Sequence, residues 1–287
     1  MQTVFRFSPL VLLFLIFCTS GEKYHELRVM TFNVRYDNPA DGINAWPNRI
    51  SIIEAYMKEA SPDIVGMQEN LYHQNEDLLN IMPGYAYVGT GREDGKRGGE
   101  FSPVFYSTHK FELLDNGQFW LSETPYTPGS IGWGAVLPRV VAWAKLKHTD
   151  SGRELFVFNT HFSHVSDQAR RKSMEILSGK IKEIAGNQRV LLTGDFNIAR
   201  ESELYYDMLE RFKDENNLQN AEMIADDTFE GEASTFNAFG RDIEPRVIDF
   251  IFVSEHFRVE KYSVDKITDG EVFISDHWPV RAQVKMK

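Results

Sequence analysis

Four apolar runs in this chain end on side chains that bind cations or carry protons. "LRVMTFN" ends at Asn33, "DIVGMQE" at Glu69, "LFVFNTH" at His161, and "VLLTGDFN" at Asp195 and Asn197. Side chains alternate faces along a strand, so residues two apart point the same way. Asp195 and Asn197 are therefore expected to project together, provided the extended backbone continues through the turn. One polar strand end only marks where a strand meets water. Four with the same chemistry point to a common site.

Asp249 carries more weight on its own. It lies inside "RVIDFIFVS", on the expected face of Val247 and Ile251, where an unpaired carboxylate costs several kcal/mol of desolvation. A histidine, an arginine or a metal must compensate it. Arg246 as a local partner, or a wetter strand face, is the ordinary alternative. "SDHWPV", Ser275 to Val280, sets Asp276 beside His277 and follows them with a proline; alone it reads equally well as a surface turn. The candidates are then two amides, four carboxylates and two histidines. Oxygen donors dominate, which suits Mg²⁺, Mn²⁺ or Ca²⁺ better than a structural zinc. His161 and His164 make an H-x-x-H pair, but no second pair completes a zinc site. There is no G-x-S-x-G elbow, "GREDGK" is one residue short of a phosphate-binding loop, and the glycines around 89–99 do not fit the dinucleotide fingerprint.

The elements that must carry these residues are mostly strands. Apolar runs at 27–33, 64–69, 85–90, 102–106, 140–146, 155–161, 190–195, 247–253 and 279–284 are short, rich in branched and aromatic residues, and separated by loop chemistry. Ile50, Ile53 and Met57 fall at helical spacing, as do Met174, Leu177, Ile181 and Ile184, with Ser166 or Asp167 able to cap the second helix. Many strands and few helices predict an α/β or α+β layered domain. Residues 91–100 and 121–139 read as long loops of the kind that border sites.

From Leu27 onward the chain reads as one domain, 27–287. The first 21 residues have the layout of a secretory signal peptide: one charge at Arg6, an apolar run from Val11 to Phe17, then small residues. A secreted or periplasmic location follows. Cys18, the single cysteine, offers lipid anchoring as an alternative, although Phe17 is bulky for that processing site. No apolar stretch in the body is long enough to span a membrane. The formal charge of −11 excludes duplex binding driven mainly by phosphate neutralisation; a cation would help a polyanion approach.

In order, "TFNVR", "QE", "NTH", "GDFN", "IDFIFVS" and "SDHWPV" resemble the motifs of the endonuclease/exonuclease/phosphatase superfamily. The longer blocks "TFNVRYDNPADGINAW", "FWLSETPYTPGSIGWG" and "GEFSPVFY" resemble an exported bacterial branch of it. The resemblance implies a four-layered α-β-β-α sandwich, two packed mixed β-sheets flanked by helices. It implies that Glu69, Asn33 and Asp276 hold Mg²⁺ or Mn²⁺, that Asp195 orients or deprotonates the attacking water, and that Asn197 holds that water or a phosphate oxygen. His277 would bind the scissile phosphate, with Asp249 fixing its tautomer and favouring its charge. His161 would serve the phosphate from the other side, with Glu100 as its acidic partner.

Arg139 in "LPRVVAW", Arg35 and Arg170 are candidate phosphate-facing cations, with salt bridges as the alternative; His164 joins them as a candidate substrate contact. The chain departs from the inositol phosphatase branch at "EPRVIDF", and Gly134 in "GWGA" stands where close relatives would carry an acid. The expected activity is metal-dependent hydrolysis of a phosphodiester by direct water attack, in a monomer, with nucleic acid the first substrate. A phospholipid or small phosphodiester or phosphate ester is the alternative, and a silent binding module on the same fold the rival from another class.

Overall fold

Two β-sheets lie face to face, and the strands that bear the motifs run through the middle of each. The structure is a computed structural model describing residues 24–228 and 234–287; the leader expected at 1–21, with Cys18, lies outside the described residues. The first sheet has seven strands in the order β10 (Asp227–Thr228), β12 (Phe257–Val264), β15 (Val280–Met286), β1 (His25–Asn33), β2 (Ile64–Gln68), β4 (Val104–Ser107) and β3 (Tyr85–Val88). The second has six, ordered β5 (Phe111–Trp120), β6 (Val140–His148), β7 (Glu154–His161), β8 (Val190–Asp195), β11 (Asp249–Ser254) and β9 (Leu218–Asn220). A hairpin of β13 (Thr268–Asp269) and β14 (Val272–Phe273) stands apart.

Both sheets are mixed. β1 runs parallel to β2 and antiparallel to β15, while β7 runs parallel to β8 and β8 antiparallel to β11. Helices α1 (Trp46–Ala60) and α2 (Tyr72–Ile81) cover the first sheet, and α3 (Asp167–Ala185) and α4 (Glu203–Asn216) the second. A short α5 (Ala221–Ile224) follows β9. The result is the expected α-β-β-α sandwich. Among the described residues no helix is long and apolar enough to cross a membrane.

Strand periodicity sorts the two cores. On β8, Leu191 belongs with the inter-sheet core, while Val190 and Leu192 belong with the core under α3 and α4. β7 divides in the same way, Leu155 and Val157 inward, Phe156 and Phe158 outward. Continuing the inward ladder by two residues from Val157 gives Asn159 and then His161; from Leu191 it gives Thr193 and then Asp195. The interior is aliphatic at one end of the sandwich and polar at the other.

A candidate active site at the polar end of the sandwich

The strands stop at the site, and the backbone then turns sharply. Glu69, Asn197 and Arg35 follow β2, β8 and β1 with φ of 66°, 50° and 58°, the left-handed region that non-glycine residues rarely occupy. Glu69 follows Gln68 directly and would point to the opposite face of an unbroken strand. The turn brings it beside Asn33 instead. Asn197 does not continue the strand as expected: its N–H donates to Asp195 Oδ1 (3.0 Å) and its side-chain amide to the Phe162 carbonyl (3.1 Å).

Asn33 is the hub. Its Nδ2 donates to Glu69 Oε1 and Asp195 Oδ2, both at 3.1 Å, and lies 3.5 Å from His277 Nε2. Its Oδ1 accepts from the Arg35 N–H at 3.0 Å. Ser275 Oγ donates to the Asn33 carbonyl at 2.7 Å and accepts from the His277 N–H at 3.3 Å, which fixes the "SDH" loop to the end of β1. Four of the motifs thus meet around one buried amide.

His277 Nδ1 is 2.9 Å from Asp249 Oδ2, and both are buried. Of the side-chain partners considered for Asp249, histidine is the one in contact. Burial alone would depress the imidazole, but Asp249, followed by Asp195 and Asp276, raises it to about 10. His277 is an imidazolium at neutral pH, and the Phe236 ring packs 4.9 Å from it. Asp195 is pushed up to about 7 by burial and by the charge of Asp249. Its Oδ2 lies 3.7 Å from His277 Nε2 and 3.4 Å from His161 Nε2. His161 is lowered well below 6.5 by burial and by Arg139 and Arg92, so it is neutral.

The cations around the cleft have different fates. Arg35 is bonded to Asp41 at 3.0 and 3.1 Å and lies 3.8 Å from both Glu69 and Asp276. Arg170 is turned onto the Ser163 carbonyl (2.6 Å) and Asp167 at the start of α3. Arg139 is buried; its Nη2 meets His164 Nδ1 at 2.9 Å, while Nε and Nη1 have no protein partner. Burial and the neighbouring Arg92 lower Arg139 to about 10, against the pull of Glu100, Asp195 and Glu69. It remains charged, faces the site's acids and has donors to spare.

Glu100 is held by Arg92 through two bonds of 2.6 and 2.9 Å. The pairing with His161 that the resemblance implies is not made, and His161 Nδ1 has no partner. Burial, then repulsion from Glu69, raises Glu100 to about 7 despite Arg92 and Arg139. Arg92 escaped the sequence reading because it lies in a glycine-rich loop without periodicity. Arg49 escaped because it falls within the helical pattern of α1. It is fully buried and donates to the carbonyls of Val34 (2.6 Å), Asn44 (2.7 Å), Ile274 (2.9 Å) and Arg35 (3.1 Å), binding the two loops that carry Arg35 and Asp276.

Two side-chain groups could hold a divalent cation. Asp195, Asp249 and His277 offer ligand atoms within 4.8 Å of one another. Glu69 and Asp276 converge on the Arg35 guanidinium, and burial, with Glu69 beside it, raises Asp276 against the pull of His277, Arg35 and Arg49. The second group, with the Asn33 amide, offers only oxygen ligands and fits a hard cation. The first already contains an imidazolium, which competes with a metal for the same carboxylates.

A two-sheet sandwich with buried acids, imidazoles and a guanidinium with two free nitrogens at one end has the build of a phosphoester hydrolase. The pattern of the endonuclease/exonuclease/phosphatase family matches residues 30–277, and the chain belongs to that family, whose members are metal-dependent phosphoesterase hydrolases. An endonuclease/exonuclease/phosphatase from Bacteroides vulgatus is 38% identical, with 92% of this chain and 100% of that one covered and a TM-score of 0.87. The Bacteroides thetaiotaomicron mannosyl-6-phosphatase Bt3783 is 35% identical, covering 90% and 99%, with a TM-score of 0.82. D. rerio TDP2 complexed with a single-strand DNA product is 18% identical, covering 90% and 98%, with a TM-score of 0.70, and shares the fold. A curated relative, an uncharacterised protein of Acanthamoeba polyphaga mimivirus, is 22% identical over 205 residues, 59% of this chain; the chain spans 30% of that relative's length.

Proposed function

We propose that the chain is a divalent-metal-dependent phosphoesterase that hydrolyses its ester by direct attack of water, acting on a phosphate carried by a sugar in preference to nucleic acid. The observation that carries the reaction is the contact of Asn33, Asp195 and His277, with Asp249 behind the imidazole. Asp195, titrating near 7, is suited to accept a proton from water at neutral pH. His277, charged and aimed by Asp249, donates to a non-bridging phosphate oxygen where negative charge develops. Asn197, its backbone tied to Asp195, borders the same space. Neutral His161 and the free donors of Arg139 bind the phosphate from the second sheet, with His164 beside Arg139. A cation held by Glu69, Asp276 and Asn33 would polarise the phosphoryl group and neutralise developing charge; the ligand chemistry favours Mg²⁺ or Mn²⁺.

One likeness and the charge balance support the sugar phosphate. A chain of net charge −11 lacks the basic balance that holds a nucleic-acid backbone, and the mannosyl-6-phosphatase is a near-full-length likeness at 35% identity. The test is release of phosphate from mannose 6-phosphate and of nitrophenol from mono- and bis-nitrophenyl phosphate, beside single- and double-stranded DNA, with Mg²⁺, Mn²⁺ or chelator. Monoester turnover abolished by chelator is expected. DNA cleavage above monoester turnover would overturn the substrate, and turnover surviving chelation would overturn the metal.

A further inference from the structure

Beneath the catalytic rank lies a second rank of polar side chains with no part in the chemistry. Thr31 stands two residues before Asn33 on β1, Asn159 two before His161 on β7, and Thr193 two before Asp195 on β8. Register sets Thr31 opposite Gly66 and Asn159 opposite Thr193, one step below Asn33–Gln68 and His161–Asp195, and the Gln68 side chain reaches down from the upper step to Thr31 and Gly66. Thr31, Gln68, Asn159 and Thr193 are all at 0% exposure.

Gln68 and Asn159 bond from sheet to sheet, and Thr31 and Thr193 brace them from within their own sheets. Gln68 Nε2 donates to Asn159 Oδ1 at 2.7 Å and to Thr31 Oγ1 at 3.1 Å. Thr193 Oγ1 donates to the same Asn159 oxygen at 3.0 Å. Asn159 Nδ2 returns to the first sheet, meeting the carbonyls of Met67 (2.6 Å) and Pro103 (2.9 Å). At Gly66 the sheets come so close that a Cβ would lie 1.9 Å from Thr193 Oγ1 and 2.5 Å from Asn159 Oδ1.

We infer that Gln68, Asn159 and Thr193 are positioning residues that set the spacing and register of the two sheets at the active site. The inference rests on the phosphoesterase reading above. The reaction needs groups from both sheets, Asn33 and Glu69 from the first and Asp195 and His161 from the second. Below this rank the inter-sheet contact is aliphatic, from Val29, Ile64, Val157, Leu191 and Ile251. Apolar packing is non-directional and tolerates small slides. Hydrogen bonds are directional and weaken steeply with misalignment, and a buried polar cluster is tolerated only while its partners are met. The bonds therefore lock what the packing leaves adjustable, one step below the Asn33–Asp195 contact.

The test uses near-isosteric replacements in the full chain. Gln68→Met removes a cross-sheet bond, and Thr193→Val removes the bond within the second sheet that holds the Asn159 amide in place, both at similar volume, while Thr193→Ser keeps the hydroxyl. With folding confirmed by thermal melts, Gln68→Met and Thr193→Val should lose about 10- to 100-fold in kcat with KM changed less than about threefold, as expected for misplacement near 1 Å. Thr193→Ser should recover most of the rate. Mn²⁺ titration of the metal-free protein should show weaker binding in Gln68→Met, because Glu69 is the next residue. A kcat within about twofold of the parent in both isosteres, or Thr193→Ser as slow as Thr193→Val, would overturn the inference. If Gln68→Met does not fold, the Thr193 pair decides. A parent that hydrolyses no phosphoester would defeat the functional reading instead, and unchanged Mn²⁺ affinity in folded Gln68→Met would then overturn the positioning role.

Discussion

Replacing Asp249 by asparagine tests the catalytic reading most directly, because the side chain keeps its size and loses only its charge. In the native chain His277 is carried to about 10 from an ordinary 6.5, a preference for the imidazolium of roughly 5 kcal/mol at about 1.36 kcal/mol per unit. Asp249 contributes both a charge and the 2.9 Å bond to Nδ1. In the Asp249→Asn variant burial regains its influence, and an amide oxygen facing Nδ1 keeps the one remaining imidazole proton there, so that Nε2 has no proton to give. A hydrogen bond from a charged donor is worth about 1.5–3 kcal/mol, and loss of the proton donor adds to it, so kcat should fall by about 10² to 10⁴.

The assay is nitrophenol release with Mg²⁺ across pH 5 to 10, at about half-unit steps, combined with NMR of ¹⁵N-labelled histidine to read the protonation of His277. KM should change little, since the phosphate keeps Arg139, and the alkaline limb of the native rate profile should move to lower pH. A kcat within about tenfold of the parent, or a His277 that stays protonated above pH 8 in the folded variant, would refute the reasoning.

Other measurements bear on separate parts of the structure. Arg139→Leu should raise KM and the inhibition constant of inorganic phosphate by about tenfold or more, the scale of one lost charged hydrogen bond; unchanged phosphate inhibition would remove Arg139 from the phosphate site. Chelated protein should lose stability as pH rises. His277 binds its proton more tightly folded than unfolded, so its contribution is complete below 6.5 and is lost as pH climbs through about 10. Asp195 acts in the same direction lower down: the unfolded chain ionises near 3.8 and the folded one near 7, so stability falls across that interval. Melting temperatures that rise from pH 5 to pH 9 would contradict both shifts. Gly66→Ala should destabilise the fold by about 1–3 kcal/mol or more through overpacking at the sheet-to-sheet contact, read by urea unfolding, and a melt unchanged from the parent would show that the sheets can part there.

Strands with a steady apolar pattern were legible in the sequence. The runs at 27–33, 155–161 and 190–195 became β1, β7 and β8 within two residues, because inter-sheet burial enforces the pattern that announces them. The helix holding Met174 and Leu177 also formed, with Ser166 as its cap rather than Asp167. β5 and β12 were missed: β5 carries Glu112, Leu114, Asp115 and Asn116 exposed along one stretch, and β12 alternates buried Val259 and Tyr262 with exposed Arg258 and Lys261 around a bulge. α2 and α4 were missed because their sequences are rich in polar residues and bury few side chains. Within the site, residue types at the strand ends could be read directly. The left-handed turns at Glu69 and Asn197, the capture of Glu100 by Arg92 and the bracing by Arg49 could not, since they depend on backbone angles, on the path of an aperiodic loop, or on carbonyls brought from as far along the chain as Ile274, none of which composition encodes.

Arg35 stands between Glu69 and Asp276, 3.8 Å from each, where an uncompensated pair of acids would repel. The chain therefore carries its own provisional counterion, anchored by Asp41. At the proposed metal site, loading would be an exchange of one positive charge for another. If Glu69 and Asp276 hold the cation as proposed, stripping and reloading it should be a reversible cycle.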